Sequence, residues 1–294
     1  MATCTGASCA VRPNDSSVFD IYVTGRDDRN RSLIGRLSVD LHNPLEPTSI
    51  AVEPVLGLGE LGAFDENGVS YPCLVHHEDG LRLYYTGWMP TVLTPFQNHA
   101  GLAIRSRDGT FERYSRAPIL ERTNDDPLSI GSVYVIRENA QWLMWYTAFR
   151  RWWREGDDVA HEYVIKFARS QDGICWDRRN QVAIDVEQPG EHSIARPSVL
   201  VDGDGYHMWY CYRGDEYRIG YAHSGDGESW RRHDDRFEFV RSGEDWDRDA
   251  VTYPHVFRFE DHLYMLYCGN RYGRDGLGLA AISVDDFEQS NKTT

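Results

Sequence analysis

The chain has 294 residues, with 31 Lys and Arg against 46 Asp and Glu, and so a formal charge of −15. Its 41% hydrophobic and 26% charged content is that of an ordinary globular protein. The acidity argues against nucleic acid, which needs Lys and Arg for counterion release, and no apolar stretch reaches the roughly 20 residues of a membrane span.

Aromatic residues make up 13% of the chain, with 9 Trp and 17 Tyr. They lie in short alternating runs divided by Gly, Asp and Asn, which predicts many short strands and an all-β protein. The first aromatic run is Ile21-Tyr22-Val23-Thr24, followed by a small-residue strand from Gly35 to Asp40. From Tyr71 onward the pattern has three parts. Tyr71-Pro72-Cys73-Leu74 opens an apolar strand, and the turn His77-Glu78-Asp79-Gly80 leads to the aromatic strand Leu83-Tyr84-Tyr85-Thr86. A small-residue strand then runs from Gly101 to Asp108.

The same order returns as Ile130-Gly131-Ser132-Val133, Met144-Trp145-Tyr146-Thr147 and Phe167 to Asp172. It returns again as Arg196-Pro197-Ser198-Val199, Met208-Trp209-Tyr210-Cys211 and Gly220 to Asp226. The last copy is Tyr253-Pro254-His255-Val256, Met265-Leu266-Tyr267-Cys268 and Gly278 to Asp285. The segment Arg150 to Asp158, with Trp152 and Trp153, departs furthest from the repeat and reads as a lid or rim loop.

The Asp ending each small-residue strand falls at 40, 108, 172, 226 and 285, so the copies are 68, 64, 54 and 59 residues apart. Such units cannot bury both faces alone, and radial packing buries them while leaving few edges. The expected fold is one five-bladed β-propeller over residues 1–288, with blades near 7–57, 58–118, 119–187, 188–243 and 244–288. Residues 289–294 are expected to form a frayed tail. Little chain follows the last repeat, so an outer strand from the opposite terminus is expected to close the ring. The form Ser-x-Asp-Gly-x-x-Trp, at Ser170 to Trp176 and Ser224 to Trp230, reads as a structural turn with a Trp between blades.

Six scattered cysteines (Cys4, Cys9, Cys73, Cys175, Cys211, Cys268) lack CxxC spacing, and disulfides or zinc are not expected. Met1 to Asn14 has neither a basic start nor a continuous apolar core, so a cytoplasmic location is expected. Dinucleotide, nucleotide-triphosphate, zinc-protease and serine-hydrolase motifs are absent. No cofactor is implied, and no ligand spacing supports a calcium ion in the channel.

Chemistry is expected where loops of several blades meet at one mouth of the channel. Acids precede the inner strands: Asp65 and Glu66, Asp125 and Asp126, Glu191, and Asp247 and Asp249. Past the aromatic strands come Arg26, Asp27 and Asp28; Trp88; Arg150 to Trp153; Arg213 and Asp215; and Asn270 and Arg271. Paired carboxylates can cleave a glycosidic bond, aromatic faces stack on sugar rings, and carboxylates crowded in a channel would raise one another's pKa. Arg26, Arg150, Arg196, Arg213 and Arg271 would suit phosphate or a carboxylated sugar. His255 is expected in the channel, on a hydroxyl, a water or the core.

The stretches Phe64-Asp65-Glu66-Asn67-Gly68-Val69-Ser70-Tyr71-Pro72, Ala195-Arg196-Pro197-Ser198-Val199 and Trp246-Asp247-Arg248-Asp249-Ala250-Val251-Thr252-Tyr253-Pro254 resemble the five-bladed propeller glycosidases. That group spans arabinanase/xylosidase-type, invertase-type and mannoside-phosphorylase-type enzymes. Gly25 to Ser32 and Tyr212 to Ala222 resemble glycosidase-like propellers of bacterial polysaccharide or natural-product pathways. The resemblance implies Asp65, Glu191 and Asp249 (or Asp247) as catalytic carboxylates, with Glu191 the general acid. It implies a small sugar or glycoconjugate held by Arg26, Asp27, Glu66, Tyr71, Trp88, Arg150, Arg196, Arg213, Asp215, Tyr253, His255, Asn270 and Arg271. Where the family carries an Asp-Pro motif in the first blade, this chain has Ala10-Val11-Arg12-Pro13. Hydrolysis, phosphorolysis or transfer, and sugar binding without catalysis are all compatible with this pattern.

Overall fold

Strands dominate because each aromatic run alternates across a pleat and has a partner run one tight turn away. The computed structural model describes residues 4–292 except 108, 236 and 238, so Asp108 and the last two tail residues lie outside the described residues. The first blade contains β1 (Cys4–Val11), β2 (Val18–Arg26), β3 (Ser32–Asp40) and β4 (Pro47–Ile50). The second has β5 (Gly68–His77), β6 (Gly80–Met89), β7 (Gln97–Arg105) and β8 (Phe111–Arg113). The third has β9 (Ile130–Glu138), β10 (Gln141–Glu155), β11 (Asp158–Ser170) and β12 (Asp177–Ile184). The fourth has β13 (Ser193–Asp202), β14 (Gly205–Arg213), β15 (Tyr217–Ser224) and β16 (Arg231–Arg232). The fifth has β17 (Thr252–Phe259), β18 (His262–Cys268) and β19 (Leu277–Ser283).

Within a blade, successive strands pair antiparallel. The innermost strands touch in the order β1, β5, β9, β13, β17, and β17 returns to β1. That cycle is a propeller, the all-β fold expected from the repeat.

The closure differs from expectation. No outer strand from the opposite terminus completes the fifth sheet among the described residues; β1 is instead the inner strand of the first blade. In the last blade helix α1 (Val284–Lys292) follows the third strand, where the other blades place a fourth, so the expected tail is helical as far as it is described. Ser283 accepts the Asp286 amide at 3.1 Å and donates to its carboxylate at 2.6 Å, turning the last Ser-x-Asp into a helix start. The Arg150 to Asp158 segment is also not a loop. It extends β10 and β11 as a regular hairpin through Gly156, whose φ is 65°.

The Ser-x-Asp-Gly turns are structural. Ser170 accepts the Gly173 amide at 2.9 Å, and Asp172 accepts those of Ile174 and Cys175, each at 2.8 Å. Ser224 and Asp226 repeat the arrangement. The freed carbonyls tie neighbouring blades together, Gly173 receiving Tyr84 and Gly227 receiving Trp145, each at 2.9 Å.

The small residues of the third strands have an equally physical cause. Gly101, Gly220 and Gly278 lie directly opposite Tyr85, Tyr210 and Tyr267. A Cβ on Gly101 would sit 2.3 Å from the Tyr85 ring. The glycine lets each tyrosine lie flat across the sheet. Gly101→Ala is therefore expected to destabilise by about 1–3 kcal/mol through overpacking, seen as a lower denaturant midpoint at unchanged slope. An unchanged midpoint would mean that the Tyr85 ring is free to move aside.

Candidate functional site

The innermost strands share a defect. Register breaks between Ser70 and Cys73, Ala195 and Ser198, and Thr252 and His255 place Tyr71, Arg196 and Tyr253 in β-bulges. Their φ values are 54°, 55° and 57°, a left-handed conformation that is rare outside Gly and Asn and that gathers where structures store strain for function. The first and third blades bulge at Gly6 and Gly131.

These bulges project three side chains onto the axis. The Tyr71 and Tyr253 hydroxyls hydrogen-bond at 3.2 Å although their blades are not neighbours. Arg196, from the fourth blade, donates to the Ser8 carbonyl of the first at 2.6 Å and to the Pro72 carbonyl of the second at 3.1 Å. Only groups near the axis can span such distances. Beyond them His255 is buried, and burial together with the Arg196 charge pushes its pKa down to about 3.

Above this floor the mouth is aromatic. Tyr163 and Tyr217 join hydroxyls across the third and fourth blades. The Tyr217 ring meets Tyr272 at 5.7 Å, and Tyr272 stacks on Tyr253 at 6.4 Å. On the other side the ring of His161 stacks on Tyr163 at 4.9 Å and abuts Trp152 at 5.1 Å, while Phe149 stacks on Trp152 at 5.3 Å. Burial, then the nearby His192 and Arg213, hold His161 down to about 4, so it is neutral at pH 7. Arg213 lies over Tyr217 at 5.4 Å and donates to the Tyr272 hydroxyl at 3.3 Å. Arg26 lies over Trp88 at 5.1 Å, and the Trp88 indole donates to Ser32 at 2.7 Å. Of the residues expected at the mouth, Arg26, Tyr71, Trp88, Arg213 and Tyr253 come together there, with Arg196 and His255 beneath.

The acids behave otherwise. Asp65 is buried, accepting from Tyr85 at 3.0 Å and forming an ion pair with Arg113 at 2.7 Å. Asp126 accepts from Tyr146 at 2.9 Å and pairs with Lys166 at 2.6 Å and Arg178 at 3.2 Å. Asp247 accepts from Tyr267 at 3.0 Å and from Ser242. In all three the tyrosine lies 20 residues after the acid. The fourth blade varies the theme, with Arg232 gripping both Glu191 and Asp234 while Asp234 receives Tyr210. This is a brace repeated in the second to fifth blades, joining the entry of the blade to its second strand and, in three of them, to its outermost strand.

The brace runs against the expected roles of Asp65 and Glu191. A general acid needs a raised pKa. Burial works to raise that of Glu191, but the Arg232 hydrogen bonds and the amides of Glu187 and Gln188 outweigh it and hold it below the ordinary 4.5. Against the expected crowding of carboxylates in the channel, Arg196 pairs with none among the described residues and donates to the carbonyls of Ser8 and Pro72. Asp249 is exposed, with Arg248 at 3.6 Å.

The remaining expected contacts are local. Asp27 pairs with Arg31 at 2.8 Å, Glu66 accepts the Gly62 amide at 2.6 Å, and Arg150 binds Asp185 at 2.6 and 2.7 Å. Asn270 latches the amides of Asp249 and Ala250, Arg271 pairs with Asp275, and Asp215 is exposed. Sequence reasoning missed Tyr163, Tyr217, Tyr272 and His161. A tyrosine at the same register of the third strand in two successive blades, Tyr163 opposite Phe149 and Tyr217 opposite Arg213, was the available signal. Among the described residues no group of His, Cys, Asp or Glu is placed to hold a metal ion.

No family model matches the chain. Among solved structures it is similar to a glycoside hydrolase, at 18% identity and TM-score 0.76 over 95% of this chain and 87% of that one. It is also similar to a thermostable family-43 glycoside hydrolase, at 16% identity and TM-score 0.67 over 95% and 89% of the two chains. A β-1,2-mannobiose phosphorylase from Listeria innocua matches at 12% identity and TM-score 0.72 over 98% and 92%. At such identities the likeness is one of fold, that of the glycosidase and phosphorylase propellers. In sequence it is 38% identical over 268 residues, 91% of this chain and 89% of the relative, to the uncharacterized proteins Rv1502 and MT1551 of two Mycobacterium tuberculosis strains, H37Rv and CDC 1551. The chain therefore belongs to the Rv1502 family, and its fold is the propeller of the glycoside hydrolases and mannoside phosphorylases.

Proposed function

We propose that the mouth binds a sugar derivative carrying a negative charge, such as a phosphorylated or carboxylated sugar. The observation that carries this reading is the charge distribution. Arg213 has no ion-pair partner among the described residues and rests against Tyr217 and Tyr272, whereas Asp65 and Glu191 are each held by an arginine of their own blade. Tyrosine and Trp152 faces suit the apolar face of a sugar, and a guanidinium suits a phosphate or carboxylate. Neutral His161 can bond a hydroxyl without repelling or attracting charge.

An enzymatic reading, hydrolysis or phosphorolysis at a glycosidic bond, draws support from the shared fold and from Asp249. Its carboxylate stays exposed on the loop entering β17. Cys9, Cys73, Cys175 and Cys211 form no disulfide, which supports a reducing compartment, the cytoplasm. Among the described residues no helix is long and apolar enough to cross a membrane.

Titration of tyrosine and tryptophan fluorescence with glucose 1-phosphate, glucuronate and glucose separates the readings. The charged sugars are expected to bind more tightly than glucose, and Arg213→Met to weaken them by about ten- to a hundredfold, the worth of a charged hydrogen bond. Equal affinity for all three would overturn the anionic reading. Turnover of aryl glycosides, with or without phosphate, that is lost in Asp249→Asn would establish the enzymatic one.

A further inference from the structure

Buried polar groups in proteins almost always have partners, and those that do not call for a reason. Here several fall on the innermost strands. Nε and Nη1 of Arg196, both nitrogens of His255, and the hydroxyls of Ser8 and Thr252 are buried without a protein hydrogen bond of normal geometry. Arg196 is 1% exposed and fully ringed by protein.

Its charge is as poorly answered as its donors. Nη2 meets two carbonyls, of Ser8 and Pro72, and the guanidinium lies 5.9 Å from the Tyr71 ring. Titratable groups whose pKa the Arg196 charge shifts include His255, Tyr71, Tyr134 and the thiols Cys9, Cys73 and Cys211. All are uncharged at neutral pH, since burial pushes the thiols up to about 11 or 12 and the tyrosines above their ordinary value, and holds His255 near 3. Among the described residues no carboxylate lies within 4.0 Å of the Arg196 guanidinium nitrogens. Water can satisfy an orphaned N–H, but it cannot neutralise a charge in a low-dielectric interior.

We propose that the propeller axis holds a resident inorganic anion of halide size, bound by Nε or Nη1 of Arg196 beside His255. A sugar at the mouth cannot substitute for it, because Arg196 lies beneath Tyr71 and Tyr253 and is closed to solvent. The site is therefore independent of the ligand proposed for the mouth. The anion balances the cation through which the fourth blade reaches the first and second, so its binding stabilises the closed ring.

The test uses the full chain in chloride, bromide, phosphate or gluconate at one ionic strength. Chloride and bromide are expected to raise Tm saturably, by about 2–5 °C over gluconate. A crystal grown or soaked in bromide is expected to show an anomalous peak beside Nε or Nη1 of Arg196. Arg196→Met is expected to abolish the melting response, and Arg213→Met to keep it, which separates this site from the mouth. Identical melting in all four salts with no anomalous peak overturns the proposal, as does a response to phosphate alone. Should Arg196→Met fail to fold, the bromide peak in the unaltered chain decides by itself.

Discussion

Asp126→Ala is expected to be the most damaging single substitution in the brace, lowering stability by about 3–5 kcal/mol. The Asp126 side chain is 2% exposed and faces two cations, Lys166 at 7% and Arg178 at 15%. Removing the acid strands both charges and the Tyr146 hydroxyl in the interior, and breaking a buried pair from one side costs far more than the pair itself is worth. The third blade is also the one in which a lysine, not a glycine, faces the second-strand tyrosine. Its ammonium takes the place that an open glycine leaves elsewhere. Chemical denaturation should show the midpoint falling sharply at unchanged slope. A loss below about 1 kcal/mol would mean that water reaches the two cations and that the brace is not sealed.

Asp65→Asn and Glu191→Gln should each cost about 2–4 kcal/mol of stability while leaving ligand affinity at the mouth, per folded molecule, unchanged. Both side chains keep their shape and lose the charge that answers Arg113 or Arg232. The effect of Glu191→Gln should also depend on pH in a definite direction. Its folded pKa is depressed, so the carboxylate's contribution is present above the unfolded value of 4.5 and is lost as pH falls through the lower folded value. The gap between the unaltered chain and Glu191→Gln should therefore narrow on acidification from pH 6 and stay constant above it. A catalytic acid would behave otherwise. Its loss would abolish turnover of an aryl glycoside at full stability, and that outcome would remove Glu191 from the brace.

The same acids show how the sequence can be informative and still mislead. An acid before each inner strand is visible in the sequence, and so is the tyrosine 20 residues later in three blades. What is not visible is the third member. Arg113, Arg178 and Arg232 come 48, 52 and 41 residues after the acids they hold, on outermost strands that are very short (β8, β16) or broken in register (β12). Without that partner, an acid at the entry of a propeller blade reads equally well as a catalyst or as a brace. The repetition of the acid was itself the sign of a structural role, as it was for the Ser-x-Asp-Gly turns.

The amino-acid sequence by itself determined the repeat and the strand pattern. It also determined the turns, whose Ser, Asp and Gly act within a few residues of one another, and the flat tyrosines opposite glycine. Each is a local matter of periodicity, φ and side-chain volume. Only the tertiary structure decided what reaches the axis. A one-residue bulge turns Tyr71, Arg196 and Tyr253 inward, and pairing with strands some 40–50 residues away draws Asp65, Asp126 and Glu191 out of the channel. The direction of a side chain in a sheet reverses with one step of register. Neither that step nor the charge a distant strand supplies is written in the neighbouring residues.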